Sequence, residues 1–169
     1  MKNAYFAGGC FWGVEYHMFR IPGVLSVESG YMGGNVENPT YEEVCSGQTG
    51  HAETVKITYN ENLTDYETLA RRFFEIHDPT QIDRQGPDIG SQYRSAVFYE
   101  TETEKNTLDN LIFELEANGY DVATELSNGG KFWSGENYHQ NYYTKTGKTP
   151  YCHIEVKRFN VNNSGAIND

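Results

Sequence analysis

The stretch AYFAGGCFWGVEYHMFRIPG, residues 4–23, decides the fold class. Residues 4–7 are short, apolar and aromatic, as a strand requires. Two glycines then break the chain, and Phe11–Arg20 follows with helix-compatible spacing and no proline. Pro22 and Gly23 stop that helix. Working outward, Val24–Ser29 alternates with β-branched residues and runs into the GYMGGN turn cluster, and Thr40–Cys45 is a short helical segment. In Ala52–Tyr59 the odd positions are Glu53, Val55, Ile57 and Tyr59 while the even ones are small or polar, the period of a half-buried strand, so Glu53 lies on the apolar side. Thr64 with Glu67 forms a capping box ahead of the stripe Tyr66, Leu69, Ala70, Phe73 and Phe74, which ends near His77 because Asp78 precedes Pro79.

Residues 78–92 read as a long loop, and Arg94–Glu100 as the next strand. Thr101 with Glu104 opens a helix carrying Leu108, Leu111, Ile112 and Leu115, stopped at Asn118 and Gly119. Val122–Leu126 is an edge strand, the following stretch is turn-rich with a short helix, and Tyr151–Arg158 alternates like a strand. The order strand, helix, strand, strand, helix, strand over residues 4–100 predicts an α+β fold: a ferredoxin-like plait with a mixed or antiparallel sheet, an added helix and long loops. The alternative, a flavodoxin-like parallel sheet, lacks a GxGxxG and a phosphate loop.

Size and charge bound the rest. With 169 residues, one domain is expected, over residues 1–160, with 161–169 as a mobile tail that carries no packing signal. A net charge of −11 repels phosphate backbones and argues against nucleic acid as a partner. No apolar run reaches the roughly 18 residues of a membrane helix, and MKNAYFAGGCFWG is too glycine-rich for a signal peptide, so the cytoplasm is the expected compartment. The three cysteines, Cys10, Cys45 and Cys152, make no CxxC pair and no zinc-like cluster with the five histidines, so neither a metal nor another cofactor is expected. An odd count in a reducing compartment suggests free thiols or one transient redox pair.

Cys10 is the sharpest chemical signal. A thiol between a strand and a helix start faces the positive end of the helix dipole, which favours the nucleophilic thiolate. The competing reading is a small buried hydrophobe in an aromatic stretch.

GGCFWGVE at 8–15 resembles the active-site motif of the A class of peptide methionine sulfoxide reductases. GYMGG at 30–34, PTYEEVCSGQTGHAE at 39–53, HDPT at 77–80, DIGSQYRSAVF at 88–98, and FW with YHQNY within 132–142 are similar to that family's blocks, in its order. The resemblance implies reduction of the S epimer of methionine sulfoxide, free or in proteins, and hence protein repair after oxidative damage, because one enzyme serves each epimer. It also implies site residues. Cys10 is the nucleophile. Glu53, desolvated on its apolar face, is the acid that protonates the sulfoxide oxygen. Tyr41 and Tyr93 point hydroxyls at that oxygen, and Asp88 holds the polar side. Phe11 and Trp12 cage the S-methyl group. His139 stands behind the site in a structural role. The sulfenic acid left on Cys10 would condense with Cys152, the resolving thiol, and thioredoxin would open the disulfide. Cys45, inside a motif block, is a buried structural thiol that could substitute. Cys152 lies on the Ile154 and Val156 side of its strand-like segment, so it would have to move.

Two other functions compete with this one. A cysteine hydrolase would use Cys10 with His139 or His51 as base, and a tyrosine-rich binding module would merely pack Cys10.

Overall fold

The computed structural model describes residues 1–151 and 153–159. Its elements are β1 (Lys2–Gly8), α1 (Phe11–Met18), β2 (Val24–Met32), α2 (Tyr41–Cys45), β3 (Ala52–Tyr59), α3 (Tyr66–Ile76), β4 (Arg84–Gln85), β5 (Asp88–Ile89), β6 (Ser95–Tyr99), α4 (Glu102–Ala117), β7 (Glu125–Asn128), β8 (Trp133–Ser134) and α5 (Tyr142–Thr146). Short 3-10 turns occupy Ser91–Tyr93 and Asn137–His139.

One sheet runs in the order β7-β6-β1-β3-β2-β8. Every pairing in it is antiparallel except β6 with β7, so the sheet is mixed but mostly antiparallel, and the flavodoxin-like alternative is excluded. Strand alternation splits the apolar residues between two faces. Phe6, Val27, Tyr31, Val55, Ile57 and Val97 face the main core, where Phe11, Val14 and Met18 of α1 and Leu69, Phe73 and Phe74 of α3 cover them. Ala7, Met32, Ala52, Ala96 and Phe98 form a smaller cluster on the opposite face, against Tyr5 and Phe132.

The alternation in β3 predicts its outcome well: Glu53, Val55, Ile57 and Tyr59 are all buried on the α1 side. Several local expectations shift. Helix α1 ends at Met18 rather than Arg20, and β2 runs on to Met32 because the backbone of Ser29–Tyr31 finds partners on both β3 and β8. The cap of α3 is Asp65, whose carboxylate accepts the Thr68 N–H, in place of Thr64. Thr40 and Glu43 make a reciprocal capping box for α2. Thr101 caps α4, but the Glu104 carboxylate turns back to the N–H of Glu100. The predicted loop 78–92 contains the β4–β5 ladder, and the edge strand lies at Glu125–Asn128 instead of 122–126.

The expected strand at Tyr151–Arg158 is absent among the described residues. Ile154 and Val156 are exposed, and the chain is tied to α3 one bond at a time: the Val156 N–H donates to the Glu75 carbonyl and Arg158 Nε to that of Phe74. Alternation there does not reflect a buried face. Among the described residues no helix is long and apolar enough to cross a membrane.

Candidate active site around Cys10

The site begins where β1 turns into α1. Gly9 has φ +97°, and a Cβ there would lie 2.7 Å from Cβ and Cγ of Gln85. Only glycine allows both the turn and the packing of Gln85. The Gln85 amide accepts from the Asp78 N–H and donates to its carbonyl, which draws the 78–92 loop onto the turn. Gly9→Ala should therefore cost about 2 kcal/mol or more, from a strained φ and a clash together. Urea denaturation measures it, and an unchanged midpoint would refute the packing argument.

Cys10 is the N-cap residue of α1 and makes no side-chain cap bond. It is 6% exposed, at the positive end of the helix. Glu53 meets the same helix end from β3. Its Oε1 accepts the N–H of Phe11, the residue after Cys10, at 3.2 Å, while Oε2 is buried with no hydrogen-bond partner among the described residues. Burial pushes the Glu53 carboxyl up to about 8; the Phe11 N–H pulls the other way, and the Asp88 charge adds to the rise. Near neutral pH this group is a buried, protonated acid beside the thiol.

Tyr41 and Tyr93 join it. Burial, then the Glu53 carboxyl, raises both phenols, which stay firmly protonated. Both phenols therefore stand within electrostatic reach of the Glu53 carboxyl, and the Tyr41 hydroxyl also bonds the Cys45 thiol. Asp88, on β5, accepts from the Tyr151 hydroxyl at 3.0 and 3.1 Å, and its charge is felt by both Glu53 and Tyr93.

The aromatic pair divides. Phe11 is 1% exposed and belongs to the core, its ring 5.7 Å from Tyr31 and 5.0 Å from His139. Trp12 is half-buried, stacked on Tyr142 at 3.6 Å and 4°, and its indole N–H donates to His139 Nδ1. His139 is fully buried, and its remaining nitrogen has no hydrogen-bond partner among the described residues, the Glu136 carboxylate standing 3.9 Å away. Burial lowers its pKa, so it is a neutral prop for Trp12.

Several contributors escaped the sequence reading. Glu136 accepts from the Tyr31 hydroxyl at 2.7 Å and from the Tyr41 N–H at 2.8 Å. Burial opposes its charge, but these two donors outweigh burial and hold the carboxyl low. Glu15 is buried, accepts the Asn141 N–H through both oxygens, and is pushed by burial up to about 7. Its spacing of three and four residues from Trp12 and Phe11 on α1 was the available signal. Gln140 donates to the Ser29 carbonyl and accepts from its N–H, pinning the 136–141 segment to β2. Unlike Glu15, Glu136 and Gln140 lie in a segment with no periodicity to betray them.

Two further expectations change. Cys45 is exposed at the end of α2, not buried; desolvation raises its thiol pKa while a bond to the Tyr41 hydroxyl lowers it. His51 accepts the Gly34 N–H and donates to the Val36 carbonyl, so both its nitrogens are engaged in holding a loop. With His139 engaged to Trp12 as well, neither histidine is poised as a base for Cys10, and the hydrolase reading loses its second member. Cys152 lies outside the described residues. Among those residues, no group of three His, Cys, Asp or Glu side chains could hold a metal ion.

Comparison with known proteins converges on one family. A family model described as peptide methionine sulfoxide reductase matches residues 2–166. The peptide methionine sulfoxide reductase MsrA of Acinetobacter baumannii (strain AYE) is 46% identical over 156 residues, covering 92% of this chain and 90% of its own. Among solved structures, reduced Mxr1 from Saccharomyces cerevisiae superposes with a TM-score of 0.83 at 32% identity, covering 91% of each chain. Mxr1 in complex with Trx2 shares the fold at a TM-score of 0.61 and 21% identity, covering 91% of this chain and 88% of that one. A thiol at a helix start beside a protonated glutamate is thus found in a chain that belongs to the peptide methionine sulfoxide reductase family, an oxidoreductase that reduces methionine sulfoxide.

Proposed function

We propose that this chain reduces the S epimer of methionine sulfoxide, free or in proteins, through a sulfenic acid on Cys10 and a disulfide to Cys152 that thioredoxin reopens. The observation that carries the reading is the Glu53 carboxyl, protonated near neutral pH, bonded to the residue after Cys10 and with one oxygen unpartnered among the described residues. Sulfur is attacked by a thiolate only as its oxygen acquires a proton, and a buried neutral acid supplies it. Tyr41 and Tyr93 stabilise the oxygen as charge develops there. Oxygen then passes to sulfur: Cys10–SH and the sulfoxide become Cys10–SOH and the thioether. Asp88 holds the polar rim. Trp12 is the half-open ring for the S-methyl group, backed by Phe11 and propped by His139.

Selectivity for one hand follows from three fixed points. The sulfoxide sulfur is pyramidal, with its methyl against an aromatic ring, its oxygen toward the donors and its attack line toward Cys10. The S hand is the one the family resemblance implies. The condensation Cys10–SOH + Cys152–SH gives a disulfide and water. Thioredoxin then gives up its two thiol hydrogens to reopen it, a reading that the Mxr1–Trx2 complex supports. The strand order β6-β1-β3-β2, with α1 and α3 crossing the same face, supports a ferredoxin-like plait as the frame of this one catalytic domain.

A coupled assay of NADPH oxidation with thioredoxin and its reductase, run on each epimer separately, tests the proposal. Turnover of the R epimer alone would overturn it. Cys152→Ser should keep one methionine per enzyme, because oxygen transfer needs only Cys10, and lose steady-state turnover with thioredoxin. Recycling intact in that variant, or a Cys10–Cys45 bond in the oxidised enzyme, would move the resolving role elsewhere.

A further inference from the structure

Helix α2 carries Tyr41 but is weakly anchored by itself. It has five residues, and its buried side chain is Val44. A helix that short is marginal without tertiary contacts. Its own capping box satisfies the N–H groups of Thr40 and Glu43, but the Tyr41 N–H is taken by a residue 95 positions away: Glu136 Oε2 accepts it at 2.8 Å. The other oxygen of that carboxylate, Oε1, accepts from the Tyr31 hydroxyl at 2.7 Å, and Tyr31 is fully buried on β2. The chain before Glu136 is itself fixed to that strand. Trp133 and Ser134 pair with Tyr31 and Gly30. The Gly135 N–H donates to the Ser29 carbonyl, close enough that a Cβ at Gly135 would lie 2.9 Å from that oxygen. One carboxylate thus ties the first residue of α2 to the sheet. The Tyr41 ring also lies on His139, with centroids 4.5 Å apart, and His139 Nε2 stands 3.9 Å from Glu136 Oε1.

We propose that Glu136 is a positioning residue for sulfoxide reduction, whose carboxylate, held on β2 by the Tyr31 hydroxyl, fixes the backbone of Tyr41 and with it the phenol that meets the sulfoxide oxygen. This rests on the reading that Tyr41 stabilises that oxygen. In the resting site the Tyr41 hydroxyl donates to the Cys45 thiol. Its hydrogen turns about the C–O bond, so donation passes to a bound oxygen provided that the ring is held in place. The backbone of Tyr41 governs that placement. A donor displaced by about 1 Å forfeits much of its hold on a developing charge. Glu136→Gln can keep both contacts: the amide oxygen accepts from the Tyr41 N–H while the amide NH2 donates to the Tyr31 oxygen. Glu136→Ala keeps neither. Placement rather than charge therefore requires that Gln works where Ala fails.

Full-length wild type, Tyr41→Phe, Glu136→Ala, Glu136→Gln and the double variant Tyr41→Phe/Glu136→Ala would each be mixed with the S epimer of methionine sulfoxide without reductant. Single-turnover methionine formation is read by chromatography over a range of substrate concentrations, and folding by a thermal melt. Tyr41→Phe should lower the saturating rate by roughly 10- to 100-fold. Glu136→Ala should lower it by roughly 10-fold, with half-saturation within about twofold of wild type in both. Glu136→Gln should stay within about threefold of the wild-type rate. The double variant should be no slower than Tyr41→Phe alone, because Glu136 then has no phenol to place. A wild-type rate in Glu136→Ala overturns the proposal. So does Glu136→Gln as slow as Glu136→Ala, which would mark charge as the active property. A double variant slower than Tyr41→Phe by the full factor overturns it too, marking a route through His139 or a merely structural contact. Should Glu136→Ala fail to fold, Tyr31→Phe, which frees the carboxylate from β2, decides through the same cycle with Tyr41→Phe. A wild-type rate in Tyr41→Phe alone would remove the reading of Tyr41 first and this inference with it, an outcome read before any Glu136 variant is compared.

Discussion

Cys10→Ser is expected to leave no measurable sulfoxide reduction, a loss of roughly 10⁴-fold or more. The reason is not only that a hydroxyl is a poorer nucleophile than a thiol. Oxygen transfer to sulfur ends in a sulfenic acid, whereas the same transfer to serine would end in an O–O bond, which is far weaker. The variant should nevertheless fold. Serine is nearly isosteric, Cys10 makes no side-chain cap bond, and the start of α1 is held through the Phe11 N–H on Glu53. Methionine release from the S epimer and a thermal melt together settle the point. Substantial turnover in a folded Cys10→Ser would overturn the mechanism, and it would do so for every recycling scheme at once, since each begins with oxygen on Cys10.

What could be read from the sequence divides by physical cause. The burial of Glu53 was legible because a strand has period two and its neighbours Val55, Ile57 and Tyr59 declare the inner face. The strand, glycine pair and helix around Cys10 were legible because two glycines and a proline punctuate them. By contrast, Glu136, Gln140 and His139 sit in a segment with no repeating element, and their roles arise from contacts with residues about 100 positions away, such as the Tyr31 hydroxyl on Glu136. Spacing cannot reveal such partners. The 153–158 segment misled for the converse reason. Its alternation is genuine, but a period-two pattern implies a strand only where a neighbouring edge supplies the hydrogen bonds, and this segment takes its bonds singly, from His17 of α1, from α3 and from Asn118. Cys45 shows a third case: a motif block fixes the place of α2, yet a five-residue helix leaves its last side chain at the surface.

Glu53→Gln should slow methionine formation by roughly 10²- to 10⁴-fold and, at alkaline pH, make the protein more stable. Both effects come from the same burial. With its carboxyl pushed up to about 8, folded Glu53 keeps a proton that the unfolded chain releases near pH 4.5. Its contribution to stability is therefore whole below about pH 4.5, declines as pH rises, and is gone above about 8, where the fold must carry a buried carboxylate. Gln carries no such charge. The stability difference between variant and wild type should be small at pH 4 and grow to the order of 3–5 kcal/mol by pH 9. Single-turnover rates should show the complement: wild type loses activity above about pH 8 as the acid ionises, while the slow Glu53→Gln reaction lacks that descending limb. Urea midpoints at pH 5, 7 and 9, paired with quenched single turnovers, measure both. A variant less stable than wild type at pH 9 would mean that the fold does not disfavour the carboxylate, which would then already be ionised at neutral pH, and a single-turnover rate equal to wild type at pH 7 would mean that another group delivers the proton.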